Sequence, residues 1–261
     1  MTLPLDPDRQ ELGAASGLRT VILAGGRGTR LRPFTVNFPK PLVPLGDVPV
    51  LEVLMRRLIA FGLTDITLTL GHLAELIKAY FMNRADLTAL MDLHYVEESS
   101  PTGTAGSLAC VPSLDDTFLV LNGDLLTDLD FHRLVRFHRE KGAILTIAAH
   151  ARHLKVDLGV LQFDASHRLS AYIEKPETTY DVSMGIYVYE PAVLTYIEPG
   201  MYLDFPDLVT RLIEADEVVC AFPAGDALWL DIGRPDDYAR AQELFTASDS
   251  EPPNRDRIEH V

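Results

Sequence analysis

Residues 18–31 read Leu18-Arg19-Thr20-Val21-Ile22-Leu23-Ala24-Gly25-Gly26-Arg27-Gly28-Thr29-Arg30-Leu31, and the architecture of the chain follows from this segment. The apolar run over 18–24 has the length and composition of a buried strand. It leads directly into a cluster of glycines. A glycine-rich turn after a strand lets backbone N–H groups approach phosphate oxygens closely. The segment therefore predicts a strand with an anion-binding turn at its carboxyl end.

Strand-like and helix-like patterns alternate after this segment through the first 150 residues. Short apolar runs predict further strands over 66–70, 93–96, 118–121 and 143–149. Apolar residues at helical spacing predict helices over 51–59, 73–81, 104–111 and around 131–135. Such alternation is typical of an α/β fold, in which helices flank both faces of a mainly parallel sheet. Ligands bind beyond the carboxyl ends of the strands, where Gly25 and Asp124 occur.

The second half of the chain is richer in predicted strands. Apolar runs indicate strands over 160–163, 169–173 and 182–189, followed by helices near 203–215 and 235–246. No linker separates the two halves, so we predict one continuous domain over 18–245 with halves at 18–150 and 151–245. A flexible arm over 1–17 and a polar tail over 246–261 are predicted to flank it.

The composition is that of a globular protein with an excess of negative charge. Of the 261 residues, 47% are hydrophobic and 23% charged, ordinary values that exclude a wholly disordered or fibrous chain. The net charge of −15 makes nucleic acid and anionic membranes unfavourable partners. Residues 18–45 depart from this balance, because they hold five basic residues and no acid. That asymmetry indicates a site for a polyanion.

Cysteine content and hydropathy give an expectation about location. Cys110 and Cys220 fit no zinc-binding spacing, and two isolated cysteines are typical of a reducing cytoplasm. The first 17 residues lack the apolar core of a signal peptide. No run approaches the about 18 apolar residues that a membrane span requires. We therefore expect a cytoplasmic protein.

Two familiar phosphate-binding motifs do not fit the glycine cluster. The dinucleotide motif Gly-x-Gly-x-x-Gly would need a glycine at position 31, which is Leu31. A Walker loop needs a Gly-Lys pair, which the chain lacks. The missing third glycine also argues against a rival enzyme class, an oxidoreductase on a dinucleotide-binding fold.

The opening motif Leu-Ala-Gly-Gly-x-Gly-Thr-Arg-Leu, with Pro-Lys-Pro downstream, resembles the sugar-1-phosphate nucleotidylyltransferase family. Later landmarks follow in that family's order: Gly103-Thr104-Ala105-Gly106, Asn122-Gly123-Asp124, Glu174-Lys175-Pro176, Met184-Gly185-Ile186-Tyr187 and Trp229-Leu230-Asp231-Ile232-Gly233. The match covers roughly residues 18–245. The resemblance implies a Rossmann-like fold of the nucleotide-diphospho-sugar transferase type. It also implies transfer of a nucleotidyl group from an NTP to a sugar 1-phosphate, with release of pyrophosphate.

The resemblance also assigns roles to individual residues. Asp124 and Asp231 would bind Mg²⁺, which prefers hard oxygen ligands. Arg30, Lys40 and Asp124 would be the catalytic residues. The nucleotide, bound by the half over 18–150, would contact Leu23, Ala24, Gly25, Gly26, Gly28, Thr29, Glu97, Gly103, Thr104 and Ala105. The sugar phosphate, bound mainly by the half over 151–245, would contact Asn122, Gly159, Glu174, Lys175 and Gly185.

The segment over 97–106, which the resemblance implies reads the base, favours GTP. Relatives that use thymidine or uridine triphosphates typically carry a glutamine here, and this segment has none. Guanine offers N–H donors that need an acceptor such as Glu97. The motif, a glutamate followed by Gly-Thr-Ala-Gly, is similar to that of mannose-1-phosphate guanylyltransferases. We therefore expect GTP and a mannose-like 1-phosphate. The alternatives are a uridylyl- or adenylyltransferase acting on glucose 1-phosphate or a rarer sugar phosphate, and a non-catalytic sugar-nucleotide sensor.

Two departures from the family pattern bear on substrate and assembly. Met184 stands where many relatives have asparagine before the glycine, which puts one sugar-hydroxyl contact in doubt. The chain ends about 16 residues after Phe245, so we expect the C-terminal left-handed β-helix of many guanylyl and adenylyl relatives to be absent. Relatives are often dimers or tetramers, and a homo-oligomer is among the expectations.

Overall fold

A computed structural model describes residues 13–26, 28, 34–98 and 100–249 of the chain. The strands are β1 (Thr20–Leu23), β2 (Pro44–Leu45), β3 (Val48–Pro49), β4 (Asp65–Leu70), β5 (Asp92–Glu97), β6 (Phe118–Asn122), β7 (Leu125–Thr127), β8 (Leu145–Lys155), β9 (Val160–Phe163), β10 (Leu169–Ile173), β11 (Glu177–Tyr189), β12 (Val219–Pro223) and β13 (Trp229–Asp231). The α-helices are α1 (Val50–Ala60), α2 (Ala74–Met82), α3 (Ala85–Thr88), α4 (Gly103–Gly106), α5 (Phe131–Lys141), α6 (Phe205–Glu214) and α7 (Pro235–Asp249). Short 3-10 helices cover Phe34–Val36, Lys40–Leu42, Ser107–Cys110 and Pro191–Tyr196.

Seven strands form the central sheet in the order β12-β8-β11-β6-β1-β4-β5. β1 lies in the middle and pairs in parallel with β6 on one side and β4 on the other, and β5 continues in parallel beyond β4. β11 is antiparallel to both β6 and β8, while β12 is parallel to β8. Only β11 therefore opposes the common direction within this sheet, and the predicted mainly parallel α/β fold is confirmed.

Alternate residues of the central strands face the two sides of the sheet. Ile22 of β1 belongs to the larger buried cluster, which also contains residues of α1, α2 and α5. Its neighbour Val21 belongs to a second cluster with Leu108 and with Leu212 of α6. Both faces are thus covered, which explains why the central strands are near-continuous apolar runs. None of the described helices is long and apolar enough to cross a membrane.

Helix α5 shows how local sequence sets the ends of an element. The side chain of Asp130 accepts a hydrogen bond from the N–H of Arg133 at 3.1 Å and caps the first turn. Gly142, with φ of +57°, ends the helix in the left-handed conformation. Phe131, Leu134 and Val135 are buried, as their spacing predicts. The capped helix therefore presents its apolar face to the sheet.

Strands β8 and β11 extend beyond the sheet that holds them. They pair from Leu145 opposite Tyr189 to Lys155 opposite Glu177, with a register shift between Ser183 and Tyr187. Most residues over 145–149 are buried, whereas residues 151–155 and 177–183 are mostly exposed. β9 and β10 form a separate hairpin between these exposed halves. We call residues 151–183 the projecting ribbon.

The sequence predicted the buried halves of β8 and β11 but not their exposed halves. The predicted strands over 143–149 and 182–189 end or begin close to the point where burial changes. The exposed halves mix charged and apolar residues and form no continuous apolar run. They are nevertheless strands, because each supplies the other with a hydrogen-bonding partner.

The folded domain reaches further than predicted at both ends. Ala15 is fully buried, and its N–H donates to Nδ1 of His132 at 3.1 Å. Residues 13–17 are therefore packed, which corrects the predicted flexible arm over 1–17. Helix α7 continues to Asp249, past the predicted start of the tail at 246. The remainder of the arm and the tail, 1–12 and 250–261, lies outside the described residues.

Candidate functional site

A cavity of about 820 Å³ opens at the carboxyl ends of β1, β4 and β6. Leu23, at the end of β1, pairs with Thr69 of β4 and with Asn122 of β6, and all three residues line this first cavity. It lies at the edge of the sheet where the strand order predicts ligand binding. The predicted site residues that it brings together are Leu23, Ala24, Gly25, Gly26, Gly28, Lys40, Gly103, Thr104, Asn122 and Asp124.

Gly28 brings the glycine-rich turn against Lys40. Its φ of +58° lies in the left-handed region, which favours glycine. A Cβ at this position would lie 3.0 Å from Cγ2 of Thr35 and 3.1 Å from Cβ of Lys40. The Thr35 hydroxyl donates to the Gly28 carbonyl oxygen at 2.6 Å. Glycine therefore permits both the turn and the close approach of Lys40.

Lys40, Asp124 and Asp231 form a charged cluster at the edge of the first cavity. Pairing of β7 with β13 places Leu125 opposite Asp231, and the N–H of Ile232 donates to the Asp124 carbonyl oxygen at 3.0 Å. The Lys40 ammonium group forms an ion pair with Oδ2 of Asp124 and lies 3.4 Å from Oδ1 of Asp231. One buried cation thus joins two carboxylates that are distant in the sequence.

Glu98, rather than the predicted Glu97, reaches the first cavity. Glu97 ends β5 on the exposed side and forms an ion pair with Lys78. Successive residues of an extended chain point to opposite sides, so the following residue, Glu98, turns towards the cavity. Oε2 of Glu98 accepts hydrogen bonds from the N–H of Thr102 at 3.0 Å and from its hydroxyl at 2.8 Å. Of these two neighbouring glutamates, Glu98 is therefore the one that lines the first cavity.

One predicted nucleotide contact lies away from the first cavity, and two further predicted site residues fall outside the described part of the chain. Ala105 is buried among apolar side chains, and its N–H donates to the Leu203 carbonyl oxygen at 3.0 Å. Helix α4 turns this residue towards the core, and its nucleotide contact stays a prediction. Thr29 and Arg30 lie outside the described residues, so their predicted roles stay predictions.

A second cavity of about 510 Å³ adjoins the first at Asn122, which lines both. Its wall combines residues of β11, including Ser183 and Tyr187, with Trp229 and Asp231 of β13. The indole N–H of Trp229 donates to the Met184 carbonyl oxygen at 2.8 Å. Burial raises the pKa of the Tyr187 phenol, so this hydroxyl stays protonated at neutral pH. The wall is thus aromatic and polar at once.

Gly185 lets Asn122 lie between the two cavities. Its φ of +73° is in the left-handed region, at the register shift of β11. A Cβ there would collide with the side-chain amide of Asn122. The predicted residues Asn122 and Gly185 are therefore brought together at the second cavity.

The other three predicted sugar-phosphate contacts lie on the projecting ribbon, and none lines either of these two cavities. Gly159 packs against the Tyr172 ring, whose hydroxyl donates to Oε2 of Glu174 at 2.9 Å. Glu174 and Lys175 are exposed. The β9–β10 hairpin pairs with itself and carries these residues away from the two cavities, so their roles stay predictions.

Sequence reasoning missed two basic residues of the second cavity, Arg152 and Arg234. Arg234 directly follows the Trp-Leu-Asp-Ile-Gly motif, so its proximity to Asp231 was available as a signal. Arg152 lies on β8, and only the pairing of β8 with β11 brings it to the cavity. Within the described ranges no three His, Cys, Asp or Glu residues cluster as a ready-made metal site.

A sequence profile described as nucleotidyl transferase matches residues 19–248. The chain belongs to the nucleotidyl transferase family. Curated members of this family that resemble it include the UTP–glucose-1-phosphate uridylyltransferase of Synechocystis sp., 35% identical over 244 residues. The mannose-1-phosphate guanylyltransferase catalytic subunit beta of Drosophila pseudoobscura is 33% identical over 239 residues. These matches confirm the resemblance to sugar-1-phosphate nucleotidylyltransferases.

The family members differ from this chain in length. The two alignments cover 86% and 89% of this chain, but 62% and 64% of the relatives, so the chain spans less than two thirds of their length. Among solved structures, HddC from Yersinia pseudotuberculosis matches with a TM-score of 0.69 and 27% identity, over 87% of this chain and 99% of HddC. HddC has also been solved in complex with GMP-PN.

Proposed function

We propose that this chain transfers a nucleotidyl group from an NTP to a sugar 1-phosphate, giving an NDP-sugar and pyrophosphate. The observation that carries this proposal is the meeting of two cavities at Asn122, beside the cluster of Lys40, Asp124 and Asp231. One cavity would hold the NTP and the other the sugar phosphate, so that the reacting groups meet at the charged cluster. The similarity to a sugar-1-phosphate uridylyltransferase and a sugar-1-phosphate guanylyltransferase supports this proposal.

The chemistry requires charge control rather than a general base. A phosphate monoester has a second pKa near ~6, so the attacking oxygen is already ionised at pH 7. The protein must bring two polyanions together and stabilise the charge that develops on the departing pyrophosphate. Lys40 supplies a buried positive charge at the first cavity for this purpose. Asn122 supplies an uncharged polar group that both substrates would share.

The charged cluster also fits a divalent metal. Asp124 and Asp231 offer hard oxygen donors, and they already converge on one cation, the Lys40 ammonium group. Mg²⁺ is commonly held by one or two carboxylates together with substrate phosphates and water, so two carboxylates are sufficient. We propose that Asp124 and Asp231 hold Mg²⁺, which would neutralise phosphate charge when bound. Lys40 would then be available for phosphate oxygens.

Glu98 supports GTP as the nucleotide. Its Oε2 is fixed by Thr102, and its Oε1 lies beside Gly25 at the wall of the first cavity. A carboxylate in this position is an acceptor for the N–H donors of guanine. A mannose-like 1-phosphate is the proposed acceptor substrate. The curated relatives include both a guanylyltransferase and a uridylyltransferase, so UTP with glucose 1-phosphate is the alternative that the test must separate.

The decisive assay measures pyrophosphate release with Mg²⁺ over a matrix of substrates. GTP, UTP, ATP, CTP and dTTP are each combined with the 1-phosphates of mannose, glucose and N-acetylglucosamine. We expect the highest turnover with GTP and mannose 1-phosphate.

Asp231→Asn should lower turnover by about 100-fold or more, since a metal ligand contributes several kcal/mol. Asp116→Asn, on an exposed loop, is the matched control. Silence across the matrix with intact NTP binding would favour a non-catalytic sensor instead.

Two adjacent glutamates test the choice of base. Glu98→Gln keeps an acceptor oxygen for Thr102 but loses the carboxylate, so the ratio of turnover with GTP to turnover with UTP should fall by about tenfold. Glu97→Gln changes the neighbouring, outward-facing residue and should leave this ratio unchanged. Equal effects of the two substitutions would contradict base recognition by Glu98.

A further inference from the structure

Two arginines from different elements line the second cavity and contact the same carboxylate. Arg152 lies on β8, and its Nη2 donates to Oδ1 and Oδ2 of Asp237 at 2.9 and 3.3 Å. Arg234, just before α7, has its Nε 3.6 Å from Oδ2 of Asp237. The side chain of Asp237 is 9% exposed, and Oδ2 also accepts from the N–H of Asp231 at 3.3 Å. A buried acid thus fixes both guanidinium groups relative to the charged cluster.

Both guanidinium groups present N–H donors at the second cavity. Arg152 and Arg234 both line the cavity and share the one carboxylate of Asp237, which is not among the lining residues. Asp231 also lines the cavity, but its Oδ1 lies 3.4 Å from the Lys40 ammonium group. Each guanidinium has five N–H donors, and Asp237 engages only part of them. The remaining donors suit an anion with several oxygens.

Trp229 restricts Arg152 further. The guanidinium carbon of Arg152 lies 5.5 Å from the centre of the Trp229 ring, within the range of a cation–π contact. The indole itself is fixed by the hydrogen bond to the Met184 carbonyl oxygen. An arginine held by both a carboxylate and an indole loses little entropy when it binds an anion. The site is therefore built before any ligand arrives.

We propose that Arg152 and Arg234 bind the phosphate group of the sugar 1-phosphate in the second cavity, with Asp237 as the residue that positions them. This rests on the proposed function. It adds two arginines to the role that the family resemblance gives to Lys175, a residue of the projecting ribbon that does not line this cavity. It also places the substrate phosphate beside Asp231, at the boundary with the first cavity.

The chain provides its own probe for this site. Trp229 is the single tryptophan of the sequence and lines the second cavity. Its fluorescence can therefore report ligand binding without NTP, metal or turnover. Mannose 1-phosphate, glucose 1-phosphate and inorganic phosphate are titrated, with methyl mannoside as the uncharged ligand. We expect saturable changes with the phosphorylated sugars and none with methyl mannoside over the same range.

The variants separate charge from folding. Arg234 is half exposed, so Arg234→Gln should fold and should raise the Kd of the sugar 1-phosphate by about tenfold or more, the loss of a charged hydrogen bond. Arg152→Lys keeps the charge but loses the planar fork, and should weaken binding by a smaller factor. Asp237→Asn should raise KM for the sugar phosphate while KM for the NTP stays unchanged. Arg136→Gln on the exposed face of α5 is the control.

The outcomes distinguish this inference from the proposed function. Wild-type affinity in Arg234→Gln and Arg152→Lys, or equal binding of methyl mannoside, would overturn the phosphate site even if nucleotidyl transfer is active. Phosphate-dependent binding that is lost in Arg234→Gln would uphold the site even if no substrate pair releases pyrophosphate. A rise of KM for both substrates in Asp237→Asn would show a general structural role for Asp237 and reject its positioning role.

Discussion

Strand β8 lies in two different environments along its length. In its first half, Leu145 is fully buried, and the hydroxyl of Thr146 contacts the ring of His138. In its second half, on the projecting ribbon, Leu154 is 56% exposed and Arg152 lines the second cavity. The same strand therefore builds the core at one end and part of a cavity wall at the other.

The difference between these halves extends to the two cavities. The first cavity is attached to β1, β4 and β6, strands that are covered on both faces. The second cavity takes part of its wall from the exposed halves of β8 and β11, which pair with each other but have few buried side chains. Local opening requires less free energy where few apolar contacts are buried. We therefore expect the sheet half to determine global stability and the ribbon half to determine local motion.

A pair of identical substitutions in β8 tests this contrast and has the largest expected effect on stability. Leu145→Ala removes buried side-chain atoms from the core and should lower the free energy of unfolding by about 2–5 kcal/mol. Leu154→Ala, on the exposed half, should change it by less than about 1 kcal/mol. Urea denaturation of both variants gives the comparison. A comparable loss at Leu154 would mean that the ribbon is packed in solution and would remove the contrast.

Local sequence patterns predicted where most of the motif residues of the first cavity lie relative to the strands. A parallel strand covered on both faces is a short apolar run, and the motif residues follow such runs within one to a few positions, as Gly25 and Asp124 do. The position of Glu98 rather than Glu97 at the first cavity shows the limit of this reasoning. A pattern indicates where a strand ends, but the last side chain's direction depends on the pleat.

The second cavity depends on information that no local pattern contains. Arg152 reaches it only through the register of β8 against β11, and Trp229 only through the pairing of β13 with β7. Register between distant strands is set by packing of whole faces, not by neighbouring residues. For the same reason, the sequence motif that contains Glu174 and Lys175 does not by itself give their position relative to the cavities. The β9–β10 hairpin determines their position.

Gly185 joins the two halves of β11, and its substitution should have the next largest effect. Gly185→Ala places a side chain at φ of +73° and against the Asn122 amide, so it combines backbone strain of about 1–2 kcal/mol with a steric conflict. We expect lower stability and a higher KM for the sugar phosphate, because Asn122 lines both cavities. Denaturation and steady-state kinetics measure the two effects.

Gly142→Ala is the matched control for Gly185→Ala. Gly142 has a φ of +57°, but a Cβ there would meet nothing within 4 Å. It should therefore show the backbone strain alone, with normal kinetics. Equal losses of stability, with a normal KM in both variants, would contradict a role for Asn122 at the junction of the cavities. The boundary between the two halves of β11 would then have no effect on substrate binding.

The smallest expected effect concerns His138, which holds α5 to the buried half of β8. Its ring lies 2.8 Å from Oγ1 of Thr146 and 3.0 Å from Oε1 of Glu190. Burial lowers the pKa of His138, although the Glu190 carboxylate acts in the opposite direction. With a lowered pKa in the folded state, the unfolded chain binds the proton more readily, so protonation favours unfolding. The free energy of unfolding should therefore fall as the pH drops from about 6.5 towards the lower pKa of the folded state.

His138→Gln should reduce this dependence on pH, and His153→Gln on the projecting ribbon controls for loss of a histidine as such. Urea denaturation at about pH 7.5 and about pH 5.5 spans the relevant interval. Between these two pH values, we expect the free energy of unfolding to fall more in the wild type and in His153→Gln than in His138→Gln. The difference should be smaller than the loss of stability caused by Leu145→Ala. Identical losses in all three proteins would mean that the buried half accommodates an imidazolium ion beside Glu190. The two halves of β8 would then differ in apolar packing but not in their tolerance of charge.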